Sequence, residues 1–387
     1  MGEDSKRDPS GLPSGVKSVK VLHIYKDYYP VLGGIENHLR LLAEGLAKRG
    51  LEVTVLVTSL TGQTTTLEMN GVRVIKAGRL ATLASTPLSL SLPLIVRRLK
   101  PDIAHLHFPY PWGELAHLWL GRARRTVITY HSDIVRQRSL LRFYKPFLWR
   151  LLAKADRIIA TSPQYIRTSR YLSRHKKACI AIPYGIEVSR FQKVDEEKAK
   201  EIEERYGHPL LLFVGQLRYY KGLEVLIEAL TGVEARALII GGGDPSYKAS
   251  LSRFAKEKKV KGKVFFLGEK ESDLPAYYQA SDLLVLPSVH RSEAFGIVQL
   301  EAMACGKPVV CTELGTGTSY VNIDGLTGLV VPPRDPAALA GAIERLLSDP
   351  RLGEEMGQRA KERVEKEFSR ERMIDSTLAL YEEMLAT

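Results

Sequence analysis

Short apolar runs alternate with longer amphipathic stretches along most of this chain. Residues 19–25 (Val-Lys-Val-Leu-His-Ile-Tyr) form a strand-like run, and a polar turn ending in Gly33-Gly34 follows. A helical periodicity then extends over 35–49 until Gly50 stops it, and 52–58 reads as a second strand. Strand, glycine turn, helix, strand is the opening of a parallel α/β sheet. The alternation predicts further strands at 72–76, 103–107, 126–130, 157–161 and 178–182, and helices near 89–100, 113–121, 140–155 and 163–173. A polar, charge-rich helix at 194–206 precedes a second series of strands, at 210–214, 238–240, 264–267, 282–288, 308–311 and 328–331. Three helices, 336–348, 351–367 and 371–385, close the chain.

The repetition is of whole domains. It predicts an α/β protein of two Rossmann-like, doubly wound domains, 18–186 and 187–370, behind a disordered tail at 1–17. The tail is polar and has no apolar segment of the secretory kind.

The densest candidate chemistry lies at 290–306. The run 282–288 reads as a buried strand ending in a turn, and after Ser292 the apolar positions Phe295, Val298, Ala302 and Cys305 recur once per helical turn, with Gly306 as the stop. This places Ser292 as N-cap and Glu293 in the first turn. Glu301 lies eight positions on, about 12 Å of helical rise. Carboxyl pairs that flank a single glycosidic bond sit about 5 to 9.5 Å apart. Glu293 and Glu301 therefore suit the two ends of a long ligand, with the amides of Ala294, Phe295 and Gly296 available for an anion between them. A nucleotide-diphosphate sugar has that shape.

Composition narrows the partners. Residues 1–190 hold 30 Lys and Arg against 13 Asp and Glu, a net +17, and the remainder holds 26 against 31, a net −5. The basic half implies an anionic partner, either a membrane surface, a lipid phosphate or a nucleic acid. No nucleic-acid-binding motif accompanies it. Residues 136–157 instead interleave Arg136, Arg138, Arg142, Lys145, Arg150, Lys154 and Arg157 with Phe143, Phe147, Trp149 and several leucines, a composition that suits an anionic membrane interface as well as a solvated helix. No apolar run approaches the roughly 20 residues of a membrane span. Cys179, Cys305 and Cys311 are few, odd in number and without metal-ligand spacing, as in a reduced cytosolic protein.

The string Ser292-Glu293-Ala294-Phe295-Gly296, with Glu301 and then Ala302-Met303-Ala304-Cys305-Gly306-Lys307-Pro308, resembles the E-x7-E segment of the retaining family 4 glycosyltransferases. Pro183-Tyr184-Gly185-Ile186-Glu187 is similar to that family's interdomain linker, Tyr184 standing where Asn is usual. The resemblance spans roughly 19–385. It implies the GT-B fold, with two Rossmann-like domains facing across a cleft and a C-terminal helix, 371–387, crossing back to the first domain.

By the same resemblance, Glu293 contacts the donor sugar, Glu301 the ribose, and the backbone from Ala294 through Ile297 the donor. His131, in Tyr130-His131-Ser132-Asp133, contacts the transferred sugar, while His105 and His107 are expected as wall residues. Gly33 and Gly34 offer amides to the diphosphate, and Gly243 ends a turn that approaches the nucleotide. In the loop Gly215–Gly222 the family grips the pyrophosphate with an arginine directly after the first glycine and a lysine before the last. Lys221 matches the lysine, but Gln216 occupies the arginine position, leaving Arg218 as an alternative contact. The family needs no bound metal, and no Asp-x-Asp motif stands near the donor loops.

The implied reaction is retaining transfer of a sugar from a nucleotide diphosphate. The strings Tyr25–Glu36, Arg218–Gly222 and Glu313–Val321 are similar to mannosyl- and rhamnosyltransferases of bacterial surface-polysaccharide assembly. They point to GDP-mannose as donor, a glycan or polyprenyl-diphosphate-linked acceptor, and a cytoplasmic enzyme peripheral to the inner face of the membrane. A UDP-sugar transferase and a GT-B-fold epimerase, which would need no acceptor, are the alternatives.

Overall fold

A computed structural model describes residues 18–386 apart from Leu32, 135–137, Val194 and Glu271, with side chains left undescribed at 138–141. The tail at 1–17 and Arg136 lie outside the described residues. The chain forms two compact units, Met1–Pro183 with Arg370–Thr387, and Tyr184–Ser369.

In the first unit the strands are β1 (Lys20–Ile24), β2 (Glu52–Thr58), β3 (Thr65–Met69), β4 (Val72–Ala77), a separate hairpin of β5 (Ala81–Leu83) and β6 (Thr86–Leu88), β7 (Ile103–Phe108), β8 (Arg125–Tyr130), β9 (Arg157–Ala160) and β10 (Cys179–Ala181). The main sheet has the order β10-β9-β8-β7-β1-β2-β4-β3. All its pairings are parallel except β3 with β4. All six residues of β7 are buried, as a strand covered on both faces requires. The first-unit strands not anticipated above are β3, β5 and β6. Thr-Thr-Leu-Glu-Met has only Leu67 and Met69 as apolar positions, too few to announce a strand, and β3 pairs along the edge of β4.

Helix Arg370–Ala386 belongs to this unit, and its seat is cut in helix Gly34–Lys48. A Cβ at Gly45 would stand 2.1 Å from Ile374 Cδ1, so the missing side chain is what admits the C-terminal helix. Polar ties fix it: Arg49 to Asp375 at 2.6 Å, Arg157 to Glu383 at 2.7 Å, and Arg125 Nε donating to the Met384 carbonyl at 2.8 Å.

The second unit has β11 (Leu210–Val214), β12 (Arg236–Ile240), β13 (Val264–Gly268), β14 (Leu283–Leu286), β15 (Val309–Thr312) and β16 (Gly328–Val331) in the order β13-β12-β11-β14-β15-β16, all parallel. Buried apolar clusters cover both faces: Leu210, Leu212, Leu238 and Leu284 point to one, and Leu211, Phe213, Ala237 and Val285 to the other. The strand order reverses direction between β11 and β14 here, and between β1 and β7 in the first unit. In open α/β sheets such a reversal leaves a crevice outside the carboxyl ends of the strands, where ligands bind.

Candidate functional site

At the second unit's reversal, two loops leave adjacent strands. Gly215–Gly222 follows β11, and 287–296 follows β14. Gly222 has φ 70°, and a Cβ there would stand 2.0 Å from the Pro287 carbonyl oxygen, so a side chain is excluded by both strain and space. That close approach brings Lys221 onto the second loop. Lys221 Nζ lies 2.6 Å from Glu293 Oε2, with side-chain exposures of 12% and 9%. Burial pulls the Lys221 pKa down, but the Glu293 carboxylate outweighs it and holds the ammonium above its ordinary range. Ser288 Oγ donates to the same Glu293 oxygen at 3.2 Å.

The 313–318 loop clamps this segment from the far side. Thr316 Oγ1 donates to the Glu293 carbonyl at 2.8 Å, the Gly317 amide to the Ala294 carbonyl at 2.7 Å, and Arg291 Nη1 to the carbonyls of Leu314 and Gly315 at 3.1 and 2.9 Å. A Cβ on Gly317 would stand 2.6 Å from the Phe295 ring. The Gly-Thr-Gly-Thr stretch is thus the backing plate that orients Glu293.

The helix of this region differs from expectation. It spans Ile297–Ala304, with Gly296 as its N-terminal flank at φ 76° and no side-chain cap. Ser292 is therefore not an N-cap, Glu293 is not in a first turn, and the 12 Å helical spacing to Glu301 does not apply. The left-handed turn at Gly296 won over the helical periodicity because Phe295 is drawn into the core, 5.0 Å from the Tyr184 ring and 6.1 Å from that of Phe368. Gly306, at φ 70°, does end the helix, its amide donating to the Met303 carbonyl at 2.9 Å.

Glu301 lies within the helix, and Tyr278 donates to its Oε2 at 2.7 Å. Burial raises the Glu301 pKa, and the Tyr278 hydrogen bond works against the rise. Tyr278 and Ser288 are partners that sequence reasoning missed; a buried tyrosine hydroxyl is the only signal that could have found the first. At the loop after β11, Arg218 Nη2 and Nε both donate to Gln216 Oε1, at 2.9 and 3.2 Å. Gln216 therefore holds the Arg218 guanidinium. Gly243 packs on the same loop, bridging to Leu217.

In the first unit, Gly33 flanks the start of helix Gly34–Lys48, and the Glu36 carboxylate folds back over it. Lys26 Nζ lies 3.8 Å from Glu36 Oε1. His131 follows β8 and ends a row of buried imidazoles. His131 Nε2 and His107 Nδ1 are 3.0 Å apart, as are His107 Nε2 and His23 Nδ1. His105 is hydrogen-bonded on both ring nitrogens, to the Tyr381 hydroxyl at 2.5 Å and to Thr129 Oγ1 at 2.6 Å. Burial drives all these rings toward the neutral form: His23 falls to about 3, and His105, His107 and His131 fall well below the ordinary value. His38 approaches His131 edge-on at 5.3 Å between centroids. His23 and His38 were not singled out by sequence, because a lone histidine in an apolar run carries no signal until neighbouring strands align. Among the described residues, His23, His105 and His107, and His38, His107 and His131, form the groups able to hold a metal ion.

Comparison with known proteins fits these two units separately. A family profile described as Glycosyltransferase Family 4 matches residues 32–190, and one described as Glycosyl transferases group 1 matches 194–363. The chain is 36% identical over 370 residues to O-antigen chain mannosyltransferase C of Escherichia coli, covering 95% of this chain and 99% of that protein. It is 40% identical over 355 residues to D-rhamnosyltransferase WbpZ of Pseudomonas aeruginosa, covering 91% and 92%. Among solved structures, sucrose-phosphate synthase from Thermosynechococcus elongatus superposes with a TM-score of 0.80 at 26% identity, covering 95% of this chain and 99% of that one.

Proposed function

The chain belongs to the family 4 glycosyltransferases and has their GT-B fold, and on that premise we propose that it moves mannose from GDP-mannose to a hydroxyl of a lipid-linked or glycan acceptor, with retention at the anomeric carbon. The observation that carries this reading is the nearly buried Lys221–Glu293 pair, 2.6 Å apart at the strand-order reversal of the second unit. Lys221 supplies a compact cation for the leaving diphosphate, and Arg218 a second, presented by Gln216. The backbone from Ala294 through Ile297 and the turn at Gly243 face the donor. Glu293 takes hydroxyls of the sugar, and Glu301, steadied by Tyr278, takes those of the ribose. In the first unit, His131 serves the transferred sugar and the amides of Gly33 and Gly34 serve the diphosphate. Lys221 and Arg218 stabilise the developing charge on the leaving oxygen, which accepts the proton of the acceptor hydroxyl, and no bound metal is required.

A thermal-shift panel tests the donor. GDP-mannose should raise the unfolding temperature of the full chain, and stabilisation by UDP-glucose with indifference to GDP-mannose would overturn that choice. Product analysis with donor alone separates transfer from epimerisation, since only an epimerase consumes donor without acceptor.

A specific surface supports membrane contact, and with it a cytoplasmic, peripheral location. Phe143 and Trp119 are 77% and 61% exposed, and the Trp119 ring meets that of Phe147 edge-on at 5.6 Å, beside exposed Arg142, Arg150 and Lys154. Aromatic rings among basic side chains suit the headgroup region of an anionic bilayer. Among the described residues no helix is long and apolar enough to cross a membrane. Co-sedimentation with phosphatidylglycerol vesicles, lost in Trp119→Ala/Phe143→Ala, is the expected result; equal binding to phosphatidylcholine would refute the charge-based reading.

A further inference from the structure

We propose that His38, His107 and His131 form a binding site for a borderline transition-metal ion such as Zn²⁺, Co²⁺ or Ni²⁺. One ring nitrogen from each lies within 4.8 Å of the other two, and the three rings come from separate pieces of backbone: helix Gly34–Lys48, β7 and the residue after β8. Bonds of about 2.0 to 2.1 Å to a tetrahedral centre put ligand nitrogens roughly 3.3 Å apart. His107 Nδ1 and His131 Nε2, now 3.0 Å apart, need separate by only a few tenths of an ångström. Neutral imidazole is the ligating form, and a set of nitrogens without carboxylates favours these metals over Mg²⁺ or Ca²⁺.

A second trio, His23, His105 and His107, meets the same distance criterion, and two observations favour the first. Both nitrogens of His105 are held by groups outside the trio, Tyr381 and Thr129, whereas the bond that the first site must open, between His107 Nδ1 and His131 Nε2, joins two of its own ligands. His23 and His105 are also completely buried, whereas His38 and His131 retain 6% and 2% exposure, so the first trio lies under the thinner cover. With the ion on His107 Nδ1, the opposite nitrogen of that ring keeps its contact with His23 Nδ1 at 3.0 Å. A ligating histidine is normally oriented by such an outer hydrogen bond. Three neutral ligands leave a fourth position for water or an anion, and the ion's charge is otherwise uncompensated, so an anion is favoured there.

The ion would take His131, the residue assigned above to the transferred sugar, and that consequence rests on the proposed function. Binding itself does not, and is measured without donor or acceptor. The full chain, stripped with EDTA, is titrated with Zn²⁺ by calorimetry and with Co²⁺ by visible absorption. One equivalent with the intense bands of tetrahedral Co²⁺ is expected. His38→Gln should weaken it at least 100-fold, His23→Asn about tenfold through the lost outer bond, and His105→Asn not at all. X-ray absorption on the unmodified Zn²⁺ form needs no variant and should count three imidazoles and one lighter ligand. Absence of a stoichiometric site, fewer than three imidazoles, or loss in His105→Asn with retention in His38→Gln would overturn the assignment. If Zn²⁺ binds so but leaves sugar transfer unaffected, the site stands and the role of His131 falls.

Discussion

Acidification from pH 7.5 to 5.5 is expected to weaken the first unit far more than the second. His23, His38, His105, His107, His117 and His131 are buried there, and burial lowers the pKa of every one, to about 3 for His23 and His38 and about 4 for His117. A depressed histidine pKa means that below the unfolded value of 6.5 the unfolded chain takes up protons that the native state refuses. Stability from these groups is full above pH 6.5 and falls as pH drops toward the folded values. Each loses somewhat over 1 kcal/mol between pH 7.5 and 5.5, so six lose on the order of 8 kcal/mol.

Glu114 opposes them. Its carboxylate accepts from the Tyr110 amide and the Tyr144 hydroxyl, and burial raises its pKa from 4.5 to about 8. The native state therefore holds a proton that the unfolded chain releases above about pH 4.5, which returns about 2 to 3 kcal/mol over the same interval. Glu36, also raised by burial, acts in the same sense. A net loss on the order of 5 kcal/mol remains, a large part of the 5 to 15 kcal/mol typical of a domain.

The assay exploits the fact that the chain's 3 tryptophans, Trp112, Trp119 and Trp149, all lie in the first unit. Urea titrations followed by tryptophan fluorescence report that unit, and far-ultraviolet circular dichroism reports both. The second unit's histidines, His208 and His290, are exposed and half-buried, so its transition should move little. A fluorescence midpoint unchanged to within about 1 kcal/mol between pH 7.5 and 5.5 would refute the reasoning.

Three further outcomes are expected. Glu293→Gln and Lys221→Met should each lower kcat/KM by about 10²-fold or more, and a double-mutant cycle should be strongly non-additive because each single change leaves the other member of the pair buried and uncompensated, which the double change does not; additive losses would mean that the pair does not act as a unit. Gly222→Ala should destabilise the second unit by about 2 to 4 kcal/mol, through a positive φ and an overlap with the Pro287 carbonyl, measured as a shift of the urea transition in circular dichroism. Tyr278→Phe removes the donor to Glu301 and should raise KM for the nucleotide sugar roughly tenfold with little change in kcat; an unchanged KM would detach Glu301 from donor binding.

Much of the architecture is written in local pattern. Residues 103–107 read as a strand and are one, and Glu52–Thr58 has in the structure the bounds its apolar run predicts. Such strands are legible because the signal and its cause, burial, lie within a few adjacent residues. The glycines of Gly215–Gly222 were legible as a loop and 315–317 only as part of a family-like string, and the purpose of neither was legible. Gly222 and Gly317 exist for contacts with Pro287 and Phe295, each more than 20 positions away. The start of helix Ile297–Ala304 was misplaced for the same reason: the periodicity continues back to Phe295, but that side chain is claimed by Tyr184 and Phe368.

By itself, then, the sequence determined the alternation of strands and helices, the charge asymmetry and the family's motif, all properties of composition or short range. Only the tertiary structure decided that Lys221 meets Glu293, that Tyr278 holds Glu301, that Gln216 presents Arg218, and that five histidines from four segments converge in one core. Those pairings depend on sheet order and strand register, which no single segment encodes. A parallel strand acquires its neighbours only when distant segments close upon it.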